Sequence, residues 1–121
     1  MTFSMRFPDG DIFTIKERIE LLERSILVNS YAYYELDENI LPDYMYDANT
    51  VQLEQFIKQF PQEFLKSRYY KYFYDFCSDE DGTHNSTGFD LISRLSKNKK
   101  LYKIISHDAH LALKYKKERM Q

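Results

Sequence analysis

The sequence predicts a mainly α fold: a compact bundle of about five helices with a short N-terminal β-hairpin. Three observations lead there. Apolar residues recur at three- and four-residue spacing along most of the 121-residue chain. Only three Gly and three Pro are present, too few for the tight turns of a sandwich or barrel. Hydrophobic residues make up 43% and charged residues 30%, enough apolar surface to close one core without disulfides or a structural metal. The length suits a single domain over 1–121, divided into a helical hairpin at 15–61 and additional helices at 62–121.

The elements follow in order. Phe3, Met5 and Phe7 alternate with polar neighbours, and Pro8-Asp9-Gly10 supplies turn chemistry before Ile12-Phe13, so a hairpin is expected there. Thr14-Ile15-Lys16-Glu17 reads as a capping box opening a helix over about 15–35. Its apolar stripe is Ile15, Ile19, Leu22, Ile26 and Tyr33, widened by Leu21 and Leu27. The stretch from Leu36 to Pro42 breaks it, and Asp43 is expected to cap a second helix over about 44–59. That helix buries Tyr46, Leu53, Phe56, Ile57 and Phe60. Pro61 opens a third helix running to about Phe76, with Leu65, Tyr69, Tyr72, Phe73 and Phe76 on its core face. Cys77 to Gly88 is a polar loop, a short helix covers Phe89–Leu95, and Asn98 caps a last helix to about Lys117.

Charge and composition exclude several classes. The single Cys77 permits no intrachain disulfide and fits a reducing, cytoplasmic compartment. No apolar run reaches the roughly 20 residues of a membrane span, and no signal peptide is read at Met1, so no membrane partner is expected. The formal net charge of −2 argues against a dedicated duplex-DNA binder and makes DNA an unexpected partner. It hides an asymmetry: residues 1–60 hold five Lys/Arg and eleven Asp/Glu, whereas 91–121 hold nine and two.

The richest segment runs from Tyr31 to Asp47. On a helix, Asp43, Tyr46 and Asp47 stand at i, i+3 and i+4 and share one face. Tyr33 and Tyr34 close the preceding helix, and a short turn folds the two helices together. Two Tyr faces and two carboxylates then meet at one mouth. Tyr faces attract flat cations at roughly 0.5–2 kcal/mol per contact, and carboxylates accept hydrogen bonds from ribose hydroxyls and amide nitrogens. The same residues also read as helix–helix core tyrosines and an N-cap aspartate, although a cap needs no second acid one turn on.

Tyr33, Tyr34, Asp37, Ile40, Pro42, Asp43, Tyr46 and Asp47, followed by Leu53-Glu54 and Phe60-Pro61, carry a resemblance. The segment resembles the N-terminal Ia domain, which binds nicotinamide mononucleotide, of NAD-dependent bacterial DNA ligases. The resemblance covers about residues 15–61. It implies that Tyr33 and Tyr46 stack on a nicotinamide ring, that Asp43 and Asp47 anchor its amide and ribose, and that Tyr34 stands where some members have His. It further implies a nucleotide ligand (NAD, nicotinamide mononucleotide or an ADP-ribose derivative) and no permanently bound cofactor. Ligases of this kind attack with the Lys of Lys-x-Asp-Gly, and no such motif is present: Asp9-Gly10 and Asp81-Gly82 follow Phe7 and Asp79 at that spacing. A non-enzyme is therefore expected, similar to ligase-related proteins of phages. Such a protein would sequester a signalling nucleotide or counter NAD-linked defence in the host cytoplasm. The alternative is an interaction or inhibitor protein that keeps the hairpin as a scaffold.

Residues 31–57 contain no Lys or Arg, so any phosphate must be met from elsewhere. Lys99, Lys100 and Lys103 are the expected phosphate ligands, with part of the basic C-terminal half facing the acidic hairpin. Tyr70 and Tyr74 fall on another face and read as an interface for a second copy or a host protein. His107 and His110 lack a third ligand, so no metal is expected. Asp79-Glu80-Asp81-Gly82 fails as a calcium loop, because Cys77 and Gly88 occupy positions that need carboxylates.

Overall fold

The computed structural model describes residues 13–76 and 88–119. The expected hairpin, apart from its last two residues, and the expected loop after Phe76 lie outside the described residues. Among the described residues the chain is helical: α1 (Ile15–Glu35), α2 (Asp43–Gln59), α3 (Pro61–Leu65), α4 (Tyr70–Phe73), α5 (Gly88–Leu95) and α6 (Lys99–Arg119).

Helix α1 is the centre of the bundle and packs against α2, α3, α5 and α6. It starts as its sequence dictates. The Thr14 hydroxyl accepts from the Glu17 amide at 3.1 Å, and the Glu17 carboxylate accepts from the Thr14 amide at 3.0 Å. The Thr14 amide, and after it the Thr14 hydroxyl, hold the Glu17 carboxyl below its ordinary value. Ile19, Leu22, Ile26 and Leu27 are buried as expected, whereas Leu21 and Tyr33 are exposed. The stripe turns instead through Tyr31 and Ala32, both buried, and Tyr31 meets Tyr102 of α6 edge-on at 5.3 Å. Arg24 pairs with Asp108 and adds a polar tie between α1 and α6.

One α1 residue breaks the apolar pattern. Glu23 is fully buried, its Oε2 lies at hydrogen-bond distance, 3.0 Å, from the Ser67 hydroxyl, and its Oε1 has no partner among the described residues. Burial pushes this carboxyl up to about 8, so it sits protonated at neutral pH.

The expected third helix is two short ones. Chain from Lys66 to Tyr69 turns instead of continuing, with Lys66 and Ser67 amides reaching back only three residues. The Ser67 hydroxyl donates to the Phe64 carbonyl at 2.7 Å while its oxygen faces the protonated Glu23 carboxyl, which draws the backbone off its helical course. The break changes the register. Phe64 is buried and Leu65 exposed, while Tyr69, Tyr72, Phe73 and Phe76 join the core as expected. Arg94 of α5 grips Asp75 with two bonds of 2.8 Å and fixes the end of this segment. Asn98 caps α6 as its sequence predicts, accepting from the Leu101 amide at 3.1 Å.

Candidate functional site

The α1–α2 hairpin builds the site. At the end of α1 the amides of Leu36 and Glu38 both donate to the Ala32 carbonyl, at 3.1 and 3.0 Å. Asp37 between them adopts a left-handed φ of 54°, a conformation that Asp tolerates better than most residues. Asn29 then pins the return: its Nδ2 donates to the Ser25 carbonyl at 2.7 Å, and its Oδ1 accepts from the Leu41 amide at 3.2 Å. Pro42 is the N-cap of α2 and Asp43 its first helical residue, with no side-chain capping bond. The expected capping role of Asp43 is thus corrected. Proline already fixes the entry angle, and the aspartate is left to point outward in the first turn, where helix dipole and acid agree.

A cavity of about 310 Å³ opens between the last turns of α1, this connecting segment and the first turns of α2. Tyr33, Tyr34, Asp43, Tyr46 and Asp47 all line it. The arrangement is regular: Ser30, Tyr33 and Tyr34 come from α1 at i, i+3 and i+4, and Asp43, Tyr46 and Asp47 from α2 at the same spacing. Tyr46 is half-buried, and its hydroxyl meets the Ser30 hydroxyl at 2.8 Å. Burial, and to a lesser degree Tyr34 and Asp47 nearby, hold the Tyr46 phenol above its ordinary value, so it stays a neutral hydrogen-bonding group. Tyr33 and Tyr34 stand edge to face at 4.9 Å, both about half exposed at the mouth.

Asn29, Ser30, Asn39, Ile40 and Leu41 complete the lining, and sequence reasoning missed them. A signal existed for two: Asn29 and Ser30 are adjacent polar residues one turn before Tyr33 and Tyr34, and both are buried in a helix whose other inward positions are mostly apolar. Among the described residues no Lys or Arg lines the cavity. Two carboxylates, amide and hydroxyl groups and three phenol rings suit a flat, neutral or cationic ligand rich in hydrogen-bond donors. Its size lies at the small end of the roughly 300–1,000 Å³ of ligand pockets, with room for a group the size of a nucleoside.

The expected phosphate ligands are not brought to this cavity. Lys99 and Lys103 are exposed on α6, and Lys100 lines a separate depression with Arg68 and Lys71. The basic C-terminal segment does reach the hairpin, but through its last turns. Lys116 donates to the Asn39 carbonyl, and Lys117 lies 3.4 Å from the Glu38 carboxylate. Lys99 and Lys117 are about 27 Å apart along the helix axis, so the two ends of α6 serve different places. Of the tyrosines expected at an interface, Tyr74 is 59% exposed, whereas Tyr70 packs on Phe64 at 5.1 Å. His110 bonds the Ser106 carbonyl at 2.7 Å, and Asp108 is taken by Arg24. Among the described residues no group of three His, Cys, Asp or Glu stands together as a metal site. Nor is any described helix long and apolar enough to cross a membrane.

Fold and site together define a helical-hairpin module with an acidic, tyrosine-walled cavity sized for part of a nucleotide. Comparison with known proteins agrees: residues 13–73 match the DNA ligase-like, N-terminal NAD+-binding domain, and the chain belongs to that family. The match takes in the whole hairpin, and it is to the NAD+-binding domain alone. Among curated proteins the chain is similar to the DNA ligases of Legionella pneumophila strains Corby, Lens and Paris, at 46% identity over 48 residues. That stretch is 40% of this chain and only 7% of each relative's length. No solved structure gives a significant match.

Proposed function

We propose that this protein binds an NAD-type nucleotide without transforming it, holding the nicotinamide–ribose end in the α1–α2 cavity. The observation that carries the reading is the convergence of Tyr33, Tyr34, Asp43, Tyr46 and Asp47 on one cavity inside the family-matched segment. Tyr33 and Tyr46 give the nicotinamide ring its aromatic walls. A pyridinium is flat and cationic, which fits phenol faces beside two carboxylates. Asp43 and Asp47, both exposed at the mouth, accept from the carboxamide and the ribose hydroxyls. The phosphates project out of this acidic mouth, where Lys116 on Asn39 is the cation at the rim.

The described cavity holds no Lys, Cys or Ser–His pair placed to attack phosphate or the glycosidic bond. Binding without turnover acts by lowering the free nucleotide, which suits a phage protein that sequesters a signalling nucleotide or counters NAD-linked defence. A protein-docking role for the same hairpin is favoured by one observation: Tyr44 and Met45 are exposed beside the cavity residues on α2. A thermal-shift panel of NAD, nicotinamide mononucleotide, ADP-ribose and its cyclic forms decides between them. Binding stabilises the native state by about 2.7 kcal/mol at a ligand concentration of a hundred times Kd. A melting temperature indifferent to all of them at millimolar concentration would leave the docking reading.

A further inference from the structure

A second surface shares no lining residue with the cavity. Two depressions of about 230 Å³ each meet along Lys71, Tyr72 and Asn98. Arg68 and Lys100 line the first, and Arg94 and Lys97 the second. Five cations thus border one continuous groove, and among the described residues no carboxylate lines it. Arg94 is committed to Asp75, and its guanidinium lies 4.7 Å over the ring of Tyr74. That contact holds a largely exposed tyrosine beside the groove.

Folding accounts for Arg94, which holds Asp75, but not for the lysines at the start of α6. Lys99 and Lys100 stand in the first turn of α6, Lys97 lies just before it, and no acid occupies that turn. The positive end of the helix dipole is there, so stability favours Asp or Glu at these positions and is lowered by lysines. A bound anion reverses the balance, because it meets the lysines and the helix terminus together. The chain's net charge of −2 conceals this segregation.

The geometry points to a groove for the sugar–phosphate backbone of a single-stranded nucleic acid. The groove is open and made of two joined depressions, which admits a chain of phosphates. Among the described residues no element projects from it to enter the groove of a duplex. Tyr74 offers a ring on which a base stacks, with Arg94 fixing it. Arg68, Lys71, Lys97 and Lys100 remain to neutralise backbone charge. Arg68, Lys71 and Tyr72 fall inside the family-matched residues 13–73 and Arg94, Lys97, Asn98 and Lys100 beyond them, but none of them lies on the α1–α2 hairpin or lines its cavity.

Fluorescence anisotropy with labelled oligothymidylate, followed from low to physiological salt, tests it on the whole chain. Four neutralised phosphates predict a log–log salt slope of about −3 for a single strand. The variant K71Q/K97Q/K100Q should weaken low-salt binding at least about tenfold and flatten the slope by about 2. Tyr74→Ala, at an exposed position, should cost about fivefold or more by loss of stacking. Nicotinamide mononucleotide should not displace the strand. The proposal is overturned by no binding at low salt, by unchanged binding in the folded triple variant, by equal affinity for duplex, or by equal competition from polyglutamate.

Discussion

Asp47→Asn is the sharpest probe of the cavity. The side chain is exposed on α2, and the hydrogen bond that involves this residue's neighbourhood runs from the Thr50 hydroxyl to the Asp47 backbone carbonyl, which the substitution keeps. Asparagine has the same shape and removes only the charge. Stability should therefore change by no more than about 0.5 kcal/mol. Affinity should not be spared. A carboxylate accepting from a ribose hydroxyl or carboxamide makes a charge-assisted bond, and such bonds contribute about 1.5–3 kcal/mol. That corresponds to a loss of about tenfold to more than a hundredfold in Kd. Titration calorimetry with nicotinamide mononucleotide measures the affinity, and urea denaturation of the same samples measures the stability. An unchanged Kd in the folded variant would refute the assignment of Asp47 as an anchor. A large loss of stability would refute the claim that it stands outside the folding framework.

Three further outcomes follow from the structure. Tyr46→Phe keeps the ring but strands the buried Ser30 hydroxyl, so stability should fall by about 1–3 kcal/mol in urea, with affinity affected less than in Asp47→Asn. Glu23 is protonated when folded up to about pH 8 but ionises near 4.5 when unfolded, so the unfolded chain releases a proton across that window and stability declines as pH rises through it. Glu23→Gln should remove the decline, which is on the order of a few kcal/mol; parallel pH-dependent declines of the denaturation midpoint in both proteins would contradict the buried neutral acid. Asn29→Ala should loosen the Leu41 connection, lowering both stability and nucleotide affinity, and an unaltered affinity would show that the connecting segment holds its course without Asn29.

Much of this was legible because it is local. The Thr14–Glu17 capping box and the Asn98 cap depend on residues three apart, and both are found where the sequence places them. The same holds for the face shared by Asp43, Tyr46 and Asp47, which helical spacing alone decides. The failures came from tertiary contacts. Nothing local announced that Ser67 would bond the buried Glu23 and split the helix after Leu65, so Leu65 was placed inside and Phe64 was not. Tyr33 fits an apolar stripe by period, yet α6 meets α1 at Tyr31 and Ala32 and leaves Tyr33 at the cavity mouth. The path of α6 also decides which lysines meet the hairpin. Charge counting places part of the basic C-terminal half against the acidic hairpin, and the lysines that meet it are Lys116 and Lys117.

The central claim is that the α1–α2 cavity recognises the nicotinamide–ribose end of a nucleotide. A ¹H–¹⁵N NMR titration with nicotinamide mononucleotide tests it residue by residue. Saturable shifts should centre on the amides of residues 29–47, with those around Arg68, Lys71 and Lys100 unmoved. Absence of shifts in the hairpin at saturating ligand, or shifts confined to the basic groove, would contradict the account.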